Sequence, residues 1–348
     1  MWKISYFPDS FFREEKLFEA NLAFLAELGV EYVELREIDR KNIMSMDNDE
    51  IAAAKKTVAK YGLKVGGLGT PIFKCPLRGY GEPIWGDKHG HKFEKKSGGS
   101  AYQDHLKLLE RAFEISDMLD PVNIRCFGFW RQYKLDEVFD EVIEKLQTAS
   151  RMAEASGHKL AIENEHNTIV GTGVELARVL KAVGKPFTGI YDIGNSWRRG
   201  GVPYPTDMDA LKGGLISHVH VKHESVDVLT GCTEHHSSWG DPIWKEDVTE
   251  RDLGGFCLTQ FGSWTRQNPA ISGKVIIDGQ EMDIIGGITS VPVTKVFHID
   301  HPAIFRALRA DGYEGIIAVD NGFHGPQARI NVKATALGLK ELIKEVWA

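Results

Sequence analysis

The sequence predicts an α/β chain closed into a (β/α)8 TIM barrel, and three observations carry that prediction. Short strand-like segments alternate strictly with helical ones, which implies a parallel sheet. Successive strands finish on Glu163, Asp192 and His220 at nearly equal intervals, each the length of one strand–helix–strand unit. The best cue for the competing open sheet, a GxGxxG after the first strand, is missing, and Pro8-Asp9-Ser10 stands there instead.

Strand one is Trp2–Phe7. Glu14–Leu28 follows as a helix with Phe18, Leu22 and Leu25 on one face and Gly29 as its stop. Glu31–Arg36 is strand two, and Asp49–Tyr61 is its helix, ended by Gly62. Lys64–Ile72 is strand three, and Gln103–Leu119 is a helix striped by Leu106, Leu109 and Phe113. Val122–Phe127 is strand four, with the helix Leu135–Ala155 after it. Lys159–Glu163 is strand five. Its helix, Val174–Val183, sets Leu176, Val179, Leu180 and Val183 on one face. Thr188–Asp192 is strand six, followed by a short helix near Asp207–Lys212. Strand seven is Ile216–His223, where Val219 and Val221 point one way and His218, His220 and Lys222 the other. The helix Pro302–Ala310 precedes strand eight, Gly315–Asp320. Asn331–Trp347 closes the chain on Leu339, Leu342, Ile343 and Val346.

Two segments break this rhythm. Residues 74–100 follow strand three and residues 226–297 follow strand seven, so both belong to the C-terminal rim, where barrels of this kind carry their sites. The chain reads as one domain, residues 1–348, with 226–297 as a large ordered insertion. The insertion holds Trp239, Trp244, Phe256, Phe261 and Trp264, and a β-like run from Lys274 with Asp278-Gly279 as a hairpin turn. It reads as a lid or as a docking surface for another chain.

A chain of 348 residues with 42% hydrophobic content is expected to bury a sizeable core. Its 42 basic and 49 acidic residues give a net charge of −7, which argues against a nucleic-acid partner. The four cysteines show no CxxC pairing, so they read as reduced thiols of a cytoplasmic protein. No run approaches the roughly 20 apolar residues of a membrane span, and no membrane partner is expected.

Glu163, Asp192, His220 and Asp320 close strands five to eight and so fall on the active-site rim. Three carboxylates and one imidazole, with no thiolate, suit Mn²⁺, Mg²⁺ or Co²⁺ better than structural zinc. Such a cation can hold two oxygens of a hydroxy-ketone and stabilise the enediolate left when a neighbouring C–H proton departs. Taken singly, each acid reads equally well as a helix cap or a salt-bridge partner. Beyond Glu163, the loop offers Glu165 and His166 as base, substrate contact or support for the ligands, against a plain solvated loop. Lys222 reads as an electrophile toward an oxyanion or as the ion-pair partner of Asp192 or Asp320. His218 reads as a hydrogen-bonded core histidine, and His235 and His236 as insertion surface. Gly171-Thr-Gly173 is a weak anion signal that a tight turn explains. Trp130-Arg131 and Trp197-Arg198-Arg199 bring aromatics beside guanidiniums, suited to a sugar ring or flat aglycone, or to ordinary loop packing.

The runs ENEHNTIVGTGVELARVL from Glu163, YDIGNSWRRGGVPYPTDMDALKGGLISHVHVK from Tyr191 and IDHPAIFRALRADGYEGIIAVD from Ile299 resemble the sugar phosphate isomerase/epimerase group, whose fold is the xylose-isomerase-like TIM barrel. The likeness is strong over 159–224 and 299–321 and looser over 1–158. It implies a divalent metal, often Mn²⁺, on Glu163, Asp192, His220 and Asp320, with Glu163 and Asp320 also moving protons. Three departures stand out. Asp320 replaces the usual Glu and shortens its reach, Asn195 stands where several epimerases carry His, and His223 replaces an Asp. With the insertion, they are similar to the branch of lyases that cleave 3-oxo-glycosides, including α subunits of C-glycoside deglycosidases. There the enediolate expels the aglycone by β-elimination and a smaller β subunit completes the enzyme. The resemblance thus implies a sugar or glycoside substrate and an oligomer, with a smaller second subunit as candidate partner. A phosphodiester hydrolase is the competing class, but it needs more histidine ligands and a basic surface. A non-catalytic partner subunit leaves the retention of all four candidate ligands unexplained.

Overall fold

Eight parallel strands pair in sequence order, and the last closes on the first. They are β1 (Lys3–Tyr6), β2 (Tyr32–Leu35), β3 (Lys64–Ile72), β4 (Asn123–Cys126), β5 (Leu160–Glu163), β6 (Phe187–Asp192), β7 (Ile216–Val221) and β8 (Ile316–Val319). The computed structural model describes residues 2–10, 17–80, 100–227, 232–236, 273–277, 280–285, 288–289, 299–320 and 328–348. The predicted barrel is therefore the observed one, with strand ends displaced by a residue or two.

The helices are α1 (Phe18–Glu27), α2 (Asn48–Lys60), α3 (Ala101–Leu119), α4 (Leu135–Ser156), α5 (Gly173–Val183), α6 (Met208–Leu211), α7 (His301–Ala310) and α8 (Ala328–Trp347). Their starts follow from local chemistry. Asp47 accepts from the Glu50 backbone N–H while Glu50 accepts from that of Asp47, a reciprocal cap that stabilises α2 by about 1 kcal/mol. Thr172 and Glu175 do the same for α5. The expected start of the first helix at Glu14 lies outside the described residues. From Phe18 onward its stripe of Phe18, Leu22 and Leu25 is buried as expected.

One helix escaped the sequence reading. Ile193–Arg198 begins directly after β6, with the Asp192 side chain capping it by accepting from Asn195 N at 2.7 Å. A run of six residues between a strand and Gly200 offers too little periodicity to be read. Most of the 226–297 insertion lies outside the described residues, including Trp239, Trp244, Phe256, Phe261, Trp264 and Asp278-Gly279. What is described there is a ribbon of His223–Asp227, which leads into the insertion, with Cys232–His236, and a sheet of Gly273–Ile277, Gln280–Ile285 and Ile288–Thr289. Gly273–Ile277 and Gln280–Ile285 run antiparallel with Ile277 opposite Gln280.

Register aligns the functional ends. Asp192 of β6 and Ala318 of β8 both stand opposite His220 of β7. Alternation makes part of the buried interior polar, because β4 contributes Asn123 and Arg125, β7 contributes His218 and His220, and β2 contributes Glu34. Low in this interior, His218 contacts Asn123 Nδ2 at 2.8 Å and stands 3.6 Å from Glu34. It is a buried, partnered core histidine.

Candidate metal centre

One nitrogen and three oxygens converge at the C-terminal mouth of the barrel. His220 Nδ1 lies 3.3 Å from Glu163 Oε1, 3.8 Å from Asp192 Oδ2 and 4.0 Å from Asp320 Oδ2. One ligand atom from each of the four residues falls within 4.8 Å of all the others. Two donors bound at about 2.1 Å to one cation stand at most about 4.2 Å apart, so a small contraction would close the set around a single ion. Asp192 Oδ2 is buried and accepts no well-directed hydrogen bond, although Lys222 Nζ stands 2.7 Å away. That oxygen is in contact with charge but lacks a directed donor, which leaves it able to bind a cation. The donor set therefore fits a hard divalent cation.

The outer oxygen of each carboxylate is engaged by the protein. Arg125 Nη1 donates to Glu163 Oε2 at 3.0 Å, and Arg36 Nη1 reaches Asp320 Oδ1 at 3.5 Å. Asn195 N donates to Asp192 Oδ1. The Asp192 backbone is fixed as well, because its N–H donates to Asn164 Oδ1 at 2.8 Å and its carbonyl accepts from Asn164 Nδ2 at 2.9 Å.

Around this group lies a ring of further charge. Lys222 Nζ is shared between Asp192 Oδ2 at 2.7 Å and Asp320 Oδ2 at 3.5 Å. Glu165 contacts His166 Nδ1 at 2.6 Å through one oxygen and Lys74 Nζ at 3.2 Å through the other. His166 Nδ1 also meets Asn195 Oδ1 at 3.2 Å. Lys74 lies over the Phe127 ring at 4.4 Å.

Burial would raise the Glu163 carboxyl, but the Arg125 guanidinium and the His220 imidazole outweigh it, and its pKa is lowered. Asp320 is also buried, yet Lys222 and Arg36 draw it far below the usual carboxylate range. Asp192 goes the other way. Burial, reinforced by the neighbouring Glu163 charge, pushes it up to about 7 against the pull of Lys222. The crowding of acids raises His220 despite its burial. Lys74 and His166 hold Glu165 well below its ordinary value despite burial.

The structure thus brings together Glu163, Asp192, His220, Asp320 and Lys222, with Glu165 and His166 beside them. Trp130 and Trp197 are only 4% and 6% exposed, which leaves little ring face for a ligand. The Arg198 backbone ends the short helix after β6, and its side chain lies outside the description. The turn at Gly171-Thr-Gly173 is closed to anions, because Gly173 N donates to Ser196 Oγ and Val174 N to Asp207 Oδ1. Sequence reasoning missed Arg36, Arg125, Lys74 and Phe7. A signal was available for Arg125, because Asn123 and Arg125 alternate with Ile124 and Cys126 as the histidines of β7 alternate with valines.

Fold and site together define a class: a (β/α)8 barrel carrying on its C-terminal rim a carboxylate–histidine cluster suited to one divalent cation. The chain belongs to the xylose isomerase-like TIM barrel family, whose sequence profile matches residues 22–250. A probable 3-DHS dehydratase from Bacillus anthracis superposes with a TM-score of 0.58 at 14% identity, over 97% of this chain and 98% of that one. An L-ribulose 3-epimerase gives 0.58 at 12% identity, over 99% of this chain and 96% of that one. A xylose isomerase-like TIM barrel protein from Mycobacterium smegmatis, solved in complex with magnesium, gives 0.57 at 12% identity, over 99% and 98%. At such identities the likeness is one of fold. A search among curated proteins finds no significant match.

Proposed function

We propose that this chain is a divalent-cation-dependent enzyme that removes the proton beside a carbonyl of a sugar or oxidised glycoside, through an enediolate, as sugar isomerases and epimerases do. The observation that carries the proposal is the convergence of Glu163, Asp192, Asp320 and His220 on one point at the barrel mouth. The donor set suits Mn²⁺ first, then Mg²⁺ or Co²⁺. Bound there, the cation supplies Lewis-acid polarisation of the carbonyl.

The remaining work falls to the chain's own side chains. Glu163 and Asp320 have their outer oxygens engaged, so they act here as ligands first. Proton transfer passes to the rim pair of His166 and Glu165. The C–H proton goes to His166, and its bonding electrons move toward the carbonyl oxygen as the enediolate forms. Glu165 orients the imidazole and contacts a substrate hydroxyl. The Lys222 ammonium steadies the oxygen that becomes negative. Return of the proton to the adjacent carbon, with the enediol hydroxyl proton passing to the first carbonyl oxygen, gives isomerisation; for epimerisation a different proton, from water, reaches the opposite face of the same carbon while His166 releases its own to solvent.

A second reading shares every step but the last. In a lyase acting on 3-oxo-C-glycosides, the enediolate re-forms the carbonyl as the sugar–aglycone C–C bond breaks by β-elimination, the aglycone carbon takes the electron pair and then the proton held by His166, and a smaller subunit docks on the 226–297 insertion. What favours it is Asn195, whose side chain is engaged by His166 and by the Asn164 carbonyl where related epimerases carry histidine.

The test is deuterium exchange in heavy water, followed by NMR, with Mn²⁺ supplied and a panel of ketoses and 3-oxo-glycosides. Label entering a carbon beside the carbonyl is expected, abolished by a chelator and reduced about 100-fold or more in His166→Ala. Aglycone release selects the second reading. Neither exchange nor release from the Mn²⁺-loaded protein contradicts both.

A further inference from the structure

The ties on two of the ligand carboxylates share one aromatic plate. Arg125 holds Glu163 Oε2 while also donating to the carbonyl oxygens of Gly69 at 3.2 Å and Thr70 at 3.3 Å. Arg36 reaches Asp320 Oδ1 and is braced by Asp9 at 2.7 Å and Ser10 at 3.2 Å. Both guanidiniums lie over the Phe7 ring, Arg36 at 4.6 Å and Arg125 at 5.6 Å from its centroid. The same ring meets the His220 imidazole edge to face at 5.5 Å and 90°. One buried side chain therefore touches the imidazole ligand and both cations that hold Glu163 and Asp320. Stacking and hydrogen bonding together fix each guanidinium plane, which a lysine could not reproduce.

We propose that Arg36 and Arg125, stacked on Phe7, are positioning residues that restrict Asp320 and Glu163 to one metal-facing oxygen each. The proposal rests on the metal-dependent reading above. A carboxylate with both oxygens at liberty can chelate a divalent cation. Asp192 is restrained in the same way by the Asn195 N–H. Three single oxygens and one imidazole nitrogen would hold a divalent cation and would leave room for two further oxygen donors, provided each carboxylate gives one oxygen only. Those two positions match the adjacent oxygens of a hydroxy-ketone. Cutting one tie lets its carboxylate chelate and closes one of the two positions against substrate.

Water-proton relaxation of Mn²⁺ bound to the full chain reads the number of exchangeable waters on the ion. Arg125→Met and Arg36→Met are each expected to bind Mn²⁺ yet lose about half of the relaxation enhancement per bound ion. Arg125→Lys keeps the charge but not the fork, and should fall between. Loose packing alone would lower the amount of Mn²⁺ bound without changing the hydration of each ion. Should Arg125→Met fail to fold, Arg36→Met carries the test, since its side chain is 16% exposed against 8% for Arg125. Unchanged relaxation per bound ion in folded Arg36→Met overturns the proposal. No Mn²⁺ binding by the unmodified chain overturns instead the reading beneath it.

Discussion

His220 is the side chain that every other group at the mouth of the barrel is arranged around. It is fully buried, and its Nδ1 is the common neighbour of three carboxylate oxygens. His220→Ala should therefore lower Mn²⁺ affinity by at least about 100-fold while the far-ultraviolet circular dichroism stays native, since imidazole ligation is removed and the barrel scaffold is not. Asp192 and His220 together set the pH dependence. Burial raises the Asp192 carboxyl to about 7, and a cation needs it ionised, so metal and proton compete. His220, raised as well, must also lose its proton to bind the cation, so Mn²⁺ affinity should rise by at least about tenfold per pH unit below about 7 and level off only once both protons are lost. Titration calorimetry across this range checks the slope, and a flat profile contradicts the assignment. The four candidate ligands were legible because each falls at or beside a strand end, three of them at nearly equal intervals. Arg36 and Phe7 were not, because their roles depend on neighbours far away in sequence. Arg36 meets Asp320 only because the barrel closes β8 onto β1.

At the scale of elements, the link from β6 to β7 is held by one buried acid. Asp207 accepts from Tyr191 Oη at 2.9 Å, from Ser196 Oγ and from Val174 N, so it ties β6, the short helix after it and the start of α5 together. Burial raises its carboxyl, against the pull of those donors. Asp207→Ala leaves buried donors unmatched and should cost about 3 kcal/mol in chemical denaturation. A loss below about 1 kcal/mol would mean that water replaces the carboxylate. The sequence reading found α5 from its apolar spacing but could not tell a turn from an anion site at Gly171-Thr-Gly173. The answer lay in Ser196 and Asp207, residues of the next unit, which local pattern cannot see.

At the scale of the whole molecule, closure of the barrel was legible because strict alternation and a missing glycine fingerprint leave few other folds. The 226–297 insertion was legible only as an interruption, since its length and aromatics carry no period. It joins β7 to α7 on the rim, so a short polar linker in its place should leave a folded barrel that still binds Mn²⁺. Circular dichroism and metal titration of that deletion check the point, and an unfolded product would make the insertion part of the core. Across the described residues no helix is long and apolar enough to cross a membrane.

The most direct measurement is metal content by elemental analysis of the purified full chain, beside Glu163→Gln. About one Mn²⁺, Mg²⁺ or Co²⁺ per chain, lost in the folded variant, is the expected result. No metal in either protein after Mn²⁺ is supplied, or equal metal in both, would contradict a cation held by Glu163, Asp192, His220 and Asp320.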